Sequence, residues 1–101
     1  MRTLMYVKIP NAEFNAYARD GGAGARIKKI LQEIKPEAAY FTEHAGQRGA
    51  ILIVDLASPS DVPRLSEPWF LTFNAQVEFR IAMTPDDLEK AALDKLGQQW
   101  A

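Results

Sequence analysis

The stretch Ala38-Ala-Tyr-Phe-Thr-Glu-His-Ala-Gly-Gln-Arg-Gly-Ala-Ile-Leu-Ile-Val-Asp-Leu56 decides how this chain folds. Ala38 to His44 reads as a strand, and Ala50 to Leu56 reads as a second strand that is apolar on both faces. The intervening Ala45-Gly-Gln-Arg-Gly49 holds two glycines for the positive φ angles of a tight loop. In a hairpin whose loop is centred on Gln47–Arg48, even-numbered residues of the first strand face the same way as odd-numbered residues of the second. Tyr40, Thr42 and His44 then share a face with Ile51, Ile53 and Asp55. Phe41 lies on the other side with Leu52 and Val54.

On the N-terminal side, Thr3 to Ile9 is a strand with largely apolar faces, which places it centrally in a sheet covered on both sides. Pro10 stops it, and Asn11 is expected to cap a short helix over Glu13 to Arg19. Gly21-Gly22 interrupts that helix. Arg26 to Lys35 follows with Ile27, Ile30, Leu31 and Ile34 at helical spacing, and Pro36 ends it. On the C-terminal side, Ser60 is expected to cap a helix over Asp61 to Phe73, interrupted at Pro68. Ala75 to Met83 is the fourth strand, with Val77, Phe79, Ile81 and Met83 on one face and Glu78, Arg80 and Ala82 on the other. Thr84-Pro-Asp-Asp87 announces a last helix: Thr84 caps, Pro85 takes the first turn and the two aspartates complement the helix dipole. Leu88, Ala91, Ala92 and Leu96 form its stripe, and Gly97 ends it.

The order β-α-β-β-α-β plus a helix is the α+β, ferredoxin-like pattern of a four-stranded antiparallel sheet with helices on one face. Here the other face is apolar too. A single subunit would expose it, so two sheets packed face to face in a two-fold homodimer are expected.

Composition narrows the function classes. The 101 residues make one domain, residues 1–101, with 12 Lys+Arg against 13 Asp+Glu. That balance lacks the positive field of a nucleic-acid binder, and strands one and three offer mainly aliphatic groups rather than stacking aromatics. Without cysteine there is no thiolate metal site or cysteine nucleophile, and one histidine excludes multi-histidine centres, so neither metal nor cofactor is expected. The longest apolar run, Ala50 to Val54, is too short to span a bilayer. A chain this short without disulfides, and with no apolar leader at its start, is expected in the cytoplasm.

Candidate functional residues fall in three groups. Tyr40, His44, Asp55, Glu78 and Arg80 share the mixed face, where an imidazole, carboxylates and a guanidinium could serve as proton-transfer group and anion clamp. The plainer reading is a Glu78–Arg80 pair bonded across strands. Trp69, with Phe70, Phe73, Phe14 and Tyr17, could wall an apolar ligand pocket between helices and sheet, or simply be core. Gly21-Gly-Ala-Gly24 opens a helix beside Arg26, Lys28 and Lys29, which allows an anion contact but reads more simply as a break between helical pieces. The C-terminal helix with Trp100 is expected on the sheet edge or on a partner subunit.

Element order, length and two-sided strands resemble the dimeric α/β-barrel superfamily. That group includes cofactor-free monooxygenases, muconolactone isomerase and haem-degrading monooxygenases. More narrowly, the chain resembles a small bacterial family of unknown function within it. The residues that carry this likeness are Pro36 to His44, Gly46-Gln-Arg48, Asp55, Pro59-Ser-Asp61, Glu67-Pro-Trp-Phe70 and Met83 to Leu88. The resemblance implies a small-molecule-binding homodimer. Either an isomerase or monooxygenase working without a cofactor, with His44 as base, or a non-catalytic ligand-binding or regulatory module is consistent with it.

Overall fold

The computed structural model describes every residue, Met1–Ala101. Four strands, β1 (Arg2–Ile9), β2 (Ala38–His44), β3 (Gln47–Asp55) and β4 (Gln76–Ile81), form one antiparallel sheet in the order β2-β3-β1-β4. Between β1 and β2 run α1 (Asn11–Asp20) and α2 (Ala23–Ile34), and α3 (Asp61–Phe73) joins β3 to β4. After β4 come α4 (Pro85–Lys90) and α5 (Leu93–Gln99). The fold is ferredoxin-like α+β, as the element order requires.

Burial follows strand parity. Met5, Val7 and Ile9 of β1 and Ala50, Leu52 and Val54 of β3 are buried beneath α1–α3, together with Ile30, Ile34, Leu65, Trp69 and Phe73. Phe73 anchors this layer: Phe14 stacks on it at 5.5 Å and Tyr17 meets it edge-on at 5.7 Å. The alternate residues, Leu4, Tyr6 and Lys8 of β1 and Ile51 and Ile53 of β3, stay partly exposed on the face without helices.

Several local expectations are corrected. The hairpin loop is only Ala45–Gly46, both at positive φ (50° and 80°), so β3 starts three residues early. Gly49 lies inside the strand, opposite Thr42 and Lys8, rather than in the loop. The face assignment survives, since moving the centre of a hairpin by a whole number of residue pairs preserves parity. Asn11 does not cap α1. It lies inside the helix, and its side chain bridges to the hairpin, donating to the Gly46 carbonyl (3.1 Å) and accepting from the Arg48 amide (3.4 Å). Ser60 does not cap α3 either. Asp61 accepts the Ala57 and Ser58 amides, and the Arg64 guanidinium, with these two amides, holds its carboxyl below the usual carboxylate range. α3 is continuous through Pro68.

Thr84 does cap α4, in a reciprocal box with Asp87. The last helix is nonetheless split, because Ala92 adopts a left-handed conformation (φ 53°) between α4 and α5. Gly21 closes α1 at φ 82°, and the Gly22 amide is taken by Asp20 (2.7 Å) while Arg26 reaches the Gly22 carbonyl. The glycine segment therefore satisfies its own polar groups. No helix is long and apolar enough to cross a membrane.

Candidate functional site

The open sheet face is organised in rows across the strands. One row is Tyr40–Ile51–Tyr6–Glu78, and the next is Thr42–Gly49–Lys8–Gln76. Gly49 supplies no side chain to its row. A Cβ there would point between Thr42 and His44, 3.7 Å from the His44 Cβ and 3.1 Å from the Val7 carbonyl. At this row lies an open hollow of about 470 Å3, floored by Gly49, Ala50 and Ile51 and rimmed by Tyr6, Lys8, Thr42, His44, Gln76, Glu78 and Arg80.

Three of the expected residues, His44, Glu78 and Arg80, thus meet at one place. Arg80 lies 3.6 Å from Glu78 and carries its guanidinium over the Tyr6 ring, 4.6 Å from the ring centre. Glu78 and Arg80 pair along one strand, not across strands, because residues two apart share a face. Tyr40 stands beside Ile51 on the exposed edge strand, outside the lining. Asp55 ends β3, about 26 Å from the His44 end at strand rise, and binds the N-terminal amine of Met1. Trp69 lies apart altogether. It is 0% exposed in the helix-side core, tilted on Phe73, with its indole Nε1 unpartnered.

Sequence reasoning missed Lys8, Tyr6, Gln76 and the gap at Gly49. The signal was present in β1, where Leu4, Tyr6 and Lys8 alternate with the buried set, but assigning their face needed the β1–β4 register. Chemically, the hollow sets two fixed cations, Lys8 and Arg80, against one carboxylate, with an imidazole at one end and a flat aromatic and aliphatic floor. Such a site favours a planar molecule that carries or develops negative charge. A larger groove of about 780 Å3 lies between α2 and α3, but its Arg26, Lys29 and Arg64 stand among Glu33 and Glu67.

Among solved structures, the chain is similar to the 5-chloro-2-hydroxyhydroquinone dehydrochlorinase of Burkholderia phenoliruptrix, determined in complex with 2,5-dihydroxybenzoquinone. The two are 22% identical, with a TM-score of 0.56 over 86% of this chain and 99% of that one. The two share one fold, a four-stranded antiparallel sheet with helices in a ferredoxin-like arrangement. No family model matches this chain, so the narrower family likeness gains no support, and no curated protein matches it. At this identity the likeness concerns the fold alone.

Proposed function

We propose that this protein is a homodimer that binds a small, partly apolar, acidic molecule in the space between two open sheet faces, and that His44 exchanges a proton with it. The observation that carries this reading is the hollow at Gly49, where Lys8, His44, Glu78 and Arg80 converge on an apolar floor. A second subunit laid over Leu4, Tyr6, Ile51 and Ile53 would cover their apolar surface and shut the hollow from water. In that dry space Lys8 and Arg80 would stabilise an enolate while the imidazole moves the proton, chemistry of the isomerase or cofactor-free monooxygenase kind.

One observation favours the second reading, a binding or regulatory module without catalysis. Arg80 lies 3.6 Å from Glu78, so its charge is already partly answered by a carboxylate of the same strand before any ligand arrives.

The hydroxyquinone bound by the structural neighbour is a suitable probe, being flat, acidic and enolised. Titrating 2,5-dihydroxybenzoquinone into labelled full-length protein should shift the amides of Tyr6, Lys8, Thr42, Gly49 and Gln76. Shifts confined to the helix side, or none at millimolar probe, would overturn the binding site. Deuterium exchange at the probe's ring carbons separates the readings. The enzyme reading expects protein-accelerated exchange that His44→Gln abolishes while binding persists. The module reading expects exchange at the rate in buffer.

A further inference from the structure

The helix-side face of the sheet is not closed at its hairpin end. Phe41 pairs with buried Ala50 and so faces the helix layer, yet it is 53% exposed and stands outside the core cluster. Between Phe41 and the start of α2 lies a cleft of about 360 Å3 whose apolar walls are Ile9, Phe14, Ile27 and Phe41. Gly24 stands on the α2 wall, where a Cβ would meet nothing within 4 Å. No residue of α3 contributes, so the cleft is separate from the Trp69 core. It shares only Thr42 and Gly49 with the hollow on the open face.

One charged side chain lines this cleft. Arg48 is partly buried, and its surroundings hold the guanidinium without neutralising it. Its Nη1 donates to Asn15 Oδ1 (2.7 Å), and its guanidinium carbon lies 4.4 Å from the centre of the Phe14 ring. Neither partner carries a charge. Glu43 is the register partner of Arg48 across the hairpin, but its carboxylate accepts the Gly46 amide (3.1 Å) and Arg48 belongs to no ion pair. Arg80 differs, since it already lies beside Glu78. A partly desolvated cation held by a ring and a carboxamide keeps most of its donor fork for a planar anion. Arg48 also borders a wholly polar hollow of about 440 Å3 with Asn11, Asn15, Glu43, Gly46 and Gln47. The guanidinium therefore marks the seam between an apolar and a polar surface.

We propose that the cleft between α2 and the β2–β3 hairpin is a second ligand site, for an amphipathic carboxylate whose head pairs with Arg48 and whose tail lies between Phe41, Ile27, Phe14 and Ile9. An apolar cleft alone would take any oily molecule, and a guanidinium alone any small anion. Their combination selects a molecule with both parts, and the two oxygens of a carboxylate match the fork of a single guanidinium. Water in the cleft has few polar partners, so displacing it by an apolar tail is favourable. The site goes beyond the open-face reading and does not depend on it.

The test titrates full-length labelled protein with octanoate and, as the neutral control, 1-octanol. Support is a set of octanoate-induced shifts at the amides of Gly24, Ile27, Phe41 and Arg48, with octanoate bound about tenfold tighter than octanol. Arg48→Gln should lower octanoate to the level of octanol. Gly24→Leu places a strong helix former where there is open space, so it keeps the fold and fills the cleft. It should weaken both probes at least tenfold. Octanoate and octanol bound equally would overturn the carboxylate site. So would octanoate shifts confined to Tyr6, Ile51 and Ile53 of the open face, no shifts at millimolar octanoate, or a folded Gly24→Leu that binds octanoate as the wild type does. Titration with 2,5-dihydroxybenzoquinone should be unchanged in Gly24→Leu, which keeps a failure of this site distinct from a failure of the open-face site.

Discussion

The guanidinium of Arg80 lies over the ring of Tyr6, 4.6 Å from its centre, on the diagonal between paired strands β4 and β1. This contact bends Arg80 along the open face toward the Gly49 hollow, although its row partner is Leu4. Cation and ring are both partly or largely exposed, so the contact positions the guanidinium more than it stabilises the fold.

Arg80→Ala should therefore separate binding from stability. Affinity for 2,5-dihydroxybenzoquinone should fall about tenfold, the loss of one charge-assisted contact, while the unfolding free energy changes by less than about 1 kcal/mol. Calorimetric titration beside a urea melt measures both. A large loss of stability would mean that the residue is structural.

Gly49→Ala tests the floor of the hollow. The new methyl would meet the Val7 carbonyl at 3.1 Å, a backbone atom that yields only with its strand. Overpacking offset by the stiffer unfolded chain should cost about 1–2 kcal/mol. Probe binding should fall with it, because the methyl occupies the floor. Unchanged binding in the folded variant would show that the ligand does not reach Gly49.

Asn11→Ala should loosen the hairpin and leave the rest of the domain intact. It removes one bond to the Gly46 carbonyl and one to the Arg48 amide, a loss of about 1 kcal/mol. Hydrogen exchange should quicken at the amides of residues 45–48 and stay constant in β1. Equal acceleration throughout the sheet would show a global rather than a local effect.

The Thr84–Asp87 box gives α4 an acid sensitivity. The Thr84 amide, followed by its hydroxyl contact, holds the Asp87 carboxyl below the usual carboxylate range. A depressed acid stabilises the folded state at neutral pH, and that contribution disappears as pH falls through the depressed value. Amide shifts over residues 84–90 should thus report loss of α4 only under strongly acidic conditions. Asp87→Asn should abolish that transition. A transition near neutrality would assign it to another group.

Much of the architecture was legible from local patterns. The helical spacing of Ile27, Ile30, Leu31 and Ile34, the two-sided apolar runs of β1 and β3, and the Thr84-Pro-Asp-Asp sequence each point to one local conformation. Strand parity placed Tyr40, Thr42 and His44 on one face with Ile51 and Ile53 even though the loop is two residues, Ala45–Gly46, and ends three residues earlier than expected. Caps were less legible. Asn11 and Ser60 have the right chemistry for capping, but Asn11 finds partners 35 and 37 positions away, and Asp61 takes the turn amides first.

Composition and periodicity therefore carry the element order, the alternation of faces within each strand and the surplus apolar face, because these depend on spacing along the chain. The candidate site depends on which residues lie opposite one another across strands distant in sequence. Asp55 and His44 share a face yet stand at opposite ends of the β2–β3 hairpin, while Lys8 and Gln76 become neighbours through the β1–β4 register. Trp69 could wall a pocket or fill a core by its chemistry, and packing against Phe73 puts it in the core. Register and packing are set by contacts distant in sequence, and no local pattern encodes them.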